Sequence, residues 1–477
     1  MESVWSKSVN FKKREALNKD IECEVAVIGA GITGILIGYM LQKDNKDVVI
    51  IEGKTICSGN TKNTTAKITS QHDVIYNKLI KEFGVERARQ YAQGNEAAIK
   101  EYKKIIEEEN IDCDFEEKDA YVYSLESNDE LIAEYEAVKK LGIDAELTNK
   151  VKLPFDVKTS LKFRNQAQFN PLKFLSQLSE KLKIYENTMA IDIKDNIVIT
   201  DKGEIKAKYI VVATQFPFLN MPGYYFMRMH QDRSYVIALE NADNVDGMYI
   251  DLNKKGYSFR NYKDLLLLGG ESQRTGENEN GGAYDAIRRF AKSIYPNAKE
   301  KYHWSAQDCI PIDNIPYIGL YSKSLENVYV ATGFKKWGMT TSMLSAMIIR
   351  DMILGKENEF AEIFSPTRFD MTASMKNAAN DLAITAKNFI AQKVSIPEEH
   401  LEDIEEGYGK IIELNGDKIG VYKDNDGKVY YVTTKCPHLG CELKWNEDEL
   451  SWDCPCHGSR FNYKGEWIQG PATKPLK

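Results

Sequence analysis

The stretch IECEVAVIGAGITGILIGYMLQKDNKDVVIIEG, residues 21–53, restricts the fold more than any other part of the chain. An apolar strand at Val25–Ile28 runs into Gly29-Ala30-Gly31-Ile32-Thr33-Gly34. A helix follows, and Val48–Ile51 form a second buried strand that ends at Glu52. Each glycine has a physical reason. Gly29 permits the tight turn, Gly31 lets the backbone approach a pyrophosphate, and Gly34 lets helix and strand pack closely. The first helical residues, Ile32 and Thr33, then offer unpaired amides to the phosphates. Glu52, 23 residues after Gly29, stands where it can accept hydrogen bonds from ribose hydroxyls. This strand–helix–strand context makes the glycine pattern a dinucleotide site on a parallel sheet; the competing reading is a glycine turn in an unrelated α/β unit.

Length and charge bound the rest. The 477 residues exceed what one core supports, so two to four domains are expected. A formal net charge of −8 argues against a general nucleic-acid binder, because phosphate contact requires a basic surface. No apolar run approaches the roughly 18 residues that span a bilayer, and MESVWSKSVNFKKREALNKD lacks the apolar core of a signal peptide. A cytoplasmic location is the expectation. Of the eight cysteines, Cys23, Cys57, Cys113 and Cys309 are scattered and read as small core side chains, while four crowd into the C-terminal tail.

Three features favour FAD over NAD. The glycine motif sits near the start of the chain, and no second GxGxxG follows. Tyr209-Ile210-Val211-Val212-Ala213-Thr214 is a buried strand ending in Ala-Thr. A late segment, Ile315 to Gly355, returns to the sheet through a strand at Val328–Ala331, a glycine loop and a helix from about Met339. On GAGITG, Glu52, the Ala213-Thr214 strand end and ATGFKKWGMTTSMLSA (331–346), the chain resembles the FAD-dependent amine and amino-acid oxidoreductases, the D-amino-acid oxidase or glycine oxidase superfamily.

The resemblance covers roughly residues 20–392. It implies a doubly wound FAD domain, about 20–83, 165–225 and 325–392, interleaved with an antiparallel-sheet α+β substrate domain, about 84–164 and 226–324. It also implies that SGNTKNTTAKITSQH wraps the flavin, which makes Thr64, Thr65, Ala66 and Lys67 candidates beside it. Ala190 occupies the position whose backbone meets adenine, and Gly333 lies in the late glycine loop. Trp337, Gly338, Met339 and Thr340 form the turn that aims helix amides at the flavin's O2 edge.

Residues 84–109 carry helical spacing at Ile99, Tyr102 and Ile106, and Ala120–Ser124, Ser234–Leu239, Tyr257–Arg260 and Leu265–Gly269 read as strands. Amine oxidation at a flavin asks mainly for positioning. Relatives acting on amino acids add an arginine for the substrate carboxylate, in a stretch like W-x-x-x-R. Here Trp304-Ser305-Ala306-Gln307 is followed by Asp308. Either the substrate is a cation or neutral amine, or another arginine takes over, with Arg233 and Arg260 as replacements. Lys67, His72 and His230 are further polar candidates near the cavity, Lys67 as a group that holds a water or stabilises reduced flavin. For each of these the bland alternative is a structural or solvated side chain.

Met371 to Lys393 has helical spacing, and an acidic connector at 396–407 leads to a small β domain at 408–477, closing a flavoprotein module of 1–395. Strands are expected at Lys410–Leu414, Lys418–Tyr422 and Lys428–Thr433, with Asp424-Asn425-Asp426-Gly427 as a hairpin turn. In CPHLGC and CPCHGS the pairs Cys436-x-His438 and Cys454-x-x-His457 could hold zinc. The two Pro/Gly-rich loops, each with an additional cysteine, closely resemble the Rieske proteins. That resemblance implies a [2Fe–2S] cluster with Cys436 and Cys454 on one iron and His438 and His457 on the other, and a disulfide between Cys441 and Cys456. Ser459 matches a serine that hydrogen-bonds a bridging sulfide, while the family's tyrosine is Phe461 here. A potential below that of respiratory Rieske proteins and above plant-type ferredoxins is expected.

A flavin and a one-electron centre on one chain suggest a dehydrogenase: a small organic substrate reduces FAD, and the cluster passes electrons singly to an external carrier. The current could run in reverse, from carrier to cluster to flavin to an unsaturated substrate. A redox sensor or electron-transfer partner without turnover, or a purely structural cluster, completes the alternatives. Substrate, direction and oligomeric state are left open by the sequence.

Overall fold

The computed structural model describes residues 2–126, 129–253, 256–278, 281–368, 401, 404–414 and 416–477. The expected helix from Met371 to Lys393 and most of the 396–407 connector lie outside the described residues.

An eight-stranded sheet is built around β1 (Ile21–Ile28), which pairs in parallel with β2 (Val48–Ile51) on one side and Glu204–Val212 on the other. Lys183–Tyr185 extends it beyond β2, and Leu325–Thr332 and then Tyr317–Ser322 extend it beyond Glu204–Val212. β1 and β2 are apolar and buried along their shared length, as parallel strands covered on both faces must be. Helix α1 (Ile32–Lys43) follows β1 and packs against Gly338–Ile353. The late segment therefore returns to the first βαβ unit, as the sequence predicts.

The second sheet has nine strands. Its order is Lys299–Pro311, Met229–Glu240, Leu265–Arg274, Ser258–Tyr262, Met248–Asp251, Glu116–Ser124, Thr159–Gln168 and Lys67–Ile68, with Ala145–Thr148 beside Thr159–Gln168. Most pairs are antiparallel, but Met248–Asp251 and Glu116–Ser124 run parallel. The amphipathic helix begins earlier than its periodicity suggests, at Tyr76, and runs to Glu108 with a break at Gly84, whose φ is +81°. Ile99 and Tyr102 are buried as expected, and Ile105 takes the core position that the spacing placed at Ile106.

The C-terminal region holds two small sheets. Gly409–Leu414, Asp417–Lys423 and Val429–Thr433 form one, and Lys444–Asn446, Ser451–Asp453, Arg460–Asn462 and Trp467–Gln469 form the other. The hairpin turn forms at Asp424–Gly427, where Asp424 Oδ1 accepts from the amides of Asp426 and Lys428. Among the described residues no helix is long and apolar enough to cross a membrane.

This β domain is docked firmly on the flavoprotein body. Asp448 caps the helix Ala283–Ile294, accepting from the amides of Gly282 at 3.1 Å and Ala283 at 3.0 Å, and from Asn278 Nδ2 at 2.7 Å. Lys54 Nζ donates to the carbonyl of Ile468 at 2.8 Å and lies 4.4 Å from the centre of the Trp467 ring. Tyr284 donates its hydroxyl to Glu449. A side chain from one domain thus supplies the N-terminal cap of a helix in the other. Asp448→Ala should cost about 1–2 kcal/mol, read as a lower unfolding temperature of the full chain in a thermal melt.

Candidate active site and metal centre

The glycine turn is tighter than spacing alone conveys. Gly29 sits at φ +108°, and a Cβ on Gly34 would lie 1.9 Å from the Gly29 carbonyl oxygen. At the start of α1 the Ile32 amide donates to Thr61 Oγ1 at 3.0 Å, so a threonine of the following loop joins the anion-facing helix end. The Thr33 hydroxyl pairs with Ser342 at 2.9 Å, tying α1 to the late helix. Glu52 accepts from the amides of Ala30 at 3.0 Å and Lys54 at 2.9 Å, and burial raises its pKa.

These groups open onto a cavity of about 1050 Å³. Gly29, Gly31, Ile32, Thr33, Glu52, Thr64, Thr65, Lys67, Ala190, Ala213 and Thr214 line it, as do Gly333, Trp337, Gly338 and Met339. Gly34, Ala66 and Thr340 stand behind that wall; Thr340 donates its hydroxyl to the Thr69 carbonyl. The C-terminal domain also reaches the cavity, through Glu449, Arg460 and the run Trp467–Thr473.

The loop after β2 is held by its carbonyls. Trp304 Nε1 donates to Asn63 O at 2.8 Å, and Trp5 Nε1 to Thr64 O at 2.7 Å. Arg260 Nη1 donates to Thr65 O at 2.7 Å and Ala66 O at 2.8 Å, with its guanidinium over the Trp5 ring. Arg260, expected as a substrate arginine, therefore lies away from the cavity wall with its donors given to backbone. His72 is displaced from its expected role for a similar reason. Its Nδ1 meets Tyr91 Oη at 2.8 Å, its Nε2 meets Thr69 O at 2.8 Å, and its ring stacks on Trp337. Complete burial takes its pKa down to about 3, so the imidazole is neutral and acts as a brace.

Arg233 borders the cavity, but both terminal nitrogens of its guanidinium are engaged, while Nε is buried without a partner among the described residues. Nη1 donates to Ser305 Oγ and, at 3.3 Å, to Glu449 of the C-terminal domain; Nη2 donates to Gln307 Oε1 at 2.9 Å. Asp308 faces its cross-strand partner Asp232, and Asn60 donates to its Oδ1 at 3.3 Å. Burial pushes the Asp308 carboxyl up to about 7 against the pull of Lys336. Lys67 lies in the same cavity, with burial and the nearby positive charges of Arg260 and Lys336 bringing it down to about 7. Lys336 donates to Ser272 Oγ at 2.6 Å, and His230 Nε2 lies 3.4 Å from Asp232. Trp5 and Glu449 carried no signal in the sequence, since each acts on a partner far away along the chain, and Thr61 was not singled out within the segment expected to wrap the flavin.

The two cysteine loops fold alike. Gly440 N donates to Cys436 O at 2.9 Å and Gly458 N to Cys454 O at 2.8 Å, with both glycines at positive φ. Cys441 and Cys456 are joined as a disulfide, and Cys436 and Cys454 keep free thiols in hydrogen-bonding contact. Cys454 lies within 4.8 Å of both disulfide sulfurs. The rings of His438 and His457 are 4.9 Å apart, and the Nδ1 atom of each is buried without a hydrogen-bond partner. Two thiols grouped together and two imidazoles with orphaned nitrogens grouped together fit a cluster with one cysteine-held and one histidine-held iron. The far nitrogen of His438, Nε2, lies 2.7 Å from Asn220 Oδ1, an outer hydrogen bond of the kind that orients a ligand ring.

Phe461 is fully buried in the core of this domain, and Ser459 Oγ accepts from the Ala472 amide while its hydroxyl reaches Cys436. Phe461→Tyr should raise the cluster's midpoint potential by adding a hydrogen bond near a ligand sulfur, as measured in a redox titration followed by EPR.

Comparison with known proteins agrees with this geometry. The family described as FAD dependent oxidoreductase matches residues 24–352, and the Rieske [2Fe-2S] domain matches residues 395–477. A Bacillus subtilis (strain 168) protein, YhfW, named for a Rieske 2Fe-2S iron-sulfur protein, is 40% identical over 493 residues, spanning 100% of this chain and 97% of its own. In fold, the chain is similar to L-proline dehydrogenase from P. horikoshii, with a TM-score of 0.63 at 19% identity over 74% of this chain and 99% of that one. Glycine oxidase from Geobacillus kaustophilus gives 0.62 at 19% identity, over 73% and 99%. The chain belongs to the FAD dependent oxidoreductases, and it carries a C-terminal Rieske domain that binds a [2Fe–2S] cluster.

Proposed function

We propose that the protein is a dehydrogenase that oxidises a small organic amine at FAD and passes the electrons singly through the Rieske cluster to an external carrier. The observation that carries this reading is the shared wall: residues of the Rieske domain line the same cavity as the dinucleotide turn. In this reading Cys436 and Cys454 hold one iron, and His438 and His457 the other. When bound, FAD takes up a hydride's two electrons and the cluster carries one electron at a time.

The protein's own groups do the positioning. Asp308 stands where relatives acting on amino acids carry an arginine, and its cross-strand neighbour Asp232 adds a second carboxylate to the cavity, which suits the ammonium of an amine rather than a carboxylate. Ionised Asp308 attracts that ammonium and accepts its proton, leaving the neutral amine from which hydride departs. Arg233 is held by Ser305, Gln307 and Glu449, so it shapes the wall and is not the group that takes a substrate carboxylate. Lys67 supplies a polarising group inside the cavity.

Anaerobic mixing with a panel of amines and amino acids tests the reading. Bleaching of the flavin absorbance followed by the cluster's EPR signal is the expected result with a cationic amine; reduction of both centres only by an added carrier would favour the reverse current. Asp308→Asn should raise KM for the amine about tenfold or more, as loss of a charge-assisted contact does. In the wild type KM should fall as pH rises through about 7, because Asp308 ionises there, and the variant should lose that dependence in steady-state assays across the range. Lys67→Met should slow flavin reduction or reoxidation in stopped-flow traces; unchanged rates for both would exclude its role.

A further inference from the structure

The antiparallel ladder between Met229–Glu240 and Lys299–Pro311 has two chemically different faces, and residues of both border the cavity. Its residues pair in strict register from Met229↔Pro311 to Ala238↔Tyr302, so alternate pairs point to opposite sides. Asp232 and Asp308 share the side that packs on the loop after β2, where Asn60 meets Asp308 and Asn63 accepts from Trp304. Gln231, Arg233 and Gln307 are engaged by the Rieske domain.

On that second side two glutamines meet the cluster-binding loop. Gln231 Nε2 donates to the carbonyl of His457, itself a cluster-ligand position, at 2.6 Å. Gln307 Nε2 donates to the Gly458 carbonyl at 2.7 Å and to Gln231 Oε1 at 2.8 Å. Gln307 Oε1 in turn accepts from Arg233 at 2.9 Å and Thr275 at 3.1 Å. Both glutamines are only 1% exposed, so their amides have no water to fall back on. The backbones fit as closely as the amides. A Cβ on Gly458, which has φ +78°, would lie 2.7 Å from Gln231 Nε2, and one on Gly276 would lie 2.7 Å from Pro455 Cα. Around them Arg233, Glu449, Arg460 and Asp453 form a buried ionic group in which Glu449 takes donors from both arginines.

We propose that Gln231 and Gln307 are positioning residues that lock the cluster-binding loop Cys454–Gly458 in a single register on the ladder, making the Rieske head a fixed electron-transfer station. The role rests on the proposed function, in which electrons cross between cavity and cluster. Each crossing moves one electron, two crossings empty one two-electron oxidation, and no bond forms or breaks at the glutamines. A shift of register within the closed interface would leave two amide donors and two carbonyls buried without partners, so a single docked register is the low-energy arrangement.

The test compares wild-type holoenzyme with Gln231→Met and Gln307→Met, which keep side-chain length and remove the amide. Both should retain flavin and iron content, and Gln231→Met, which leaves the Gln307 acceptor of Arg233 in place, should retain the rate of substrate-driven flavin reduction. Amide hydrogen exchange across 454–459 should speed up, and flavin-to-cluster electron transfer, followed by stopped flow and freeze-quench EPR, should slow about tenfold or more, as small misplacements do. Gln307→Glu, which keeps an acceptor and loses the donors, guards against a variant that fails to fold and should give the same two changes. Unchanged exchange and unchanged transfer in the variants would overturn the proposal. Should the wild-type cluster stay oxidised after its flavin is reduced by substrate, the proposed function fails instead, while the exchange measurement still reports on the lock.

Discussion

Everything distinctive about this molecule depends on one pair of hydrogen-bonded strands, Met229–Glu240 and Lys299–Pro311. Strand geometry forces neighbouring residues to opposite faces. Asp232 and Asp308 thereby go one way while Gln231, Arg233 and Gln307 go the other. A slip of one residue would exchange the carboxylates of the cavity with the amides of the domain interface. The register is therefore what gives one ladder two chemical faces.

The second constraint is the way the loop after β2 is fixed. Four successive carbonyls, from Asn63 to Ala66, receive donors from Trp304, Trp5 and Arg260. A loop with buried carbonyls must find donors somewhere, and here they come from three separate parts of the chain. Lys67 inherits its place from that arrangement, at the start of the strand Lys67–Ile68. Its lowered pKa is a consequence of position, because the same burial that fixes the loop removes water from the ammonium.

The legible parts of the sequence were those whose chemistry is written locally. GAGITG between two apolar runs, and two loops that each place a histidine close to a cysteine, announce themselves because all their residues are neighbours. The strands of the small domain and the returning helix at Gly338–Ile353 were readable for the same reason. Arg260 and His72 were read as cavity groups, and the structure turns them elsewhere. Their partners are backbone carbonyls and hydroxyls, which leave no mark in a sequence: Thr65 lies 195 residues from Arg260. Gln231 and Gln307 were invisible because an amide gains its meaning only from what faces it. Asp308 stood out as a departure from a family pattern, although its cross-strand pairing with Asp232 needed the register.

The Asp448 cap on the helix Ala283–Ile294 carries a consequence for how such chains are assembled. The Rieske portion looks like a cassette, appended after a connector and complete in its ligands. Yet its Asp448 finishes a helix that belongs to another domain, and its Glu449 is shared between Arg233 and its own Arg460. Exchanging this portion for a Rieske domain from another protein would leave a helix end bare and an arginine without its acid. The fusion is thus not modular: the two halves are fitted to each other at the level of single side chains, and they have to change together.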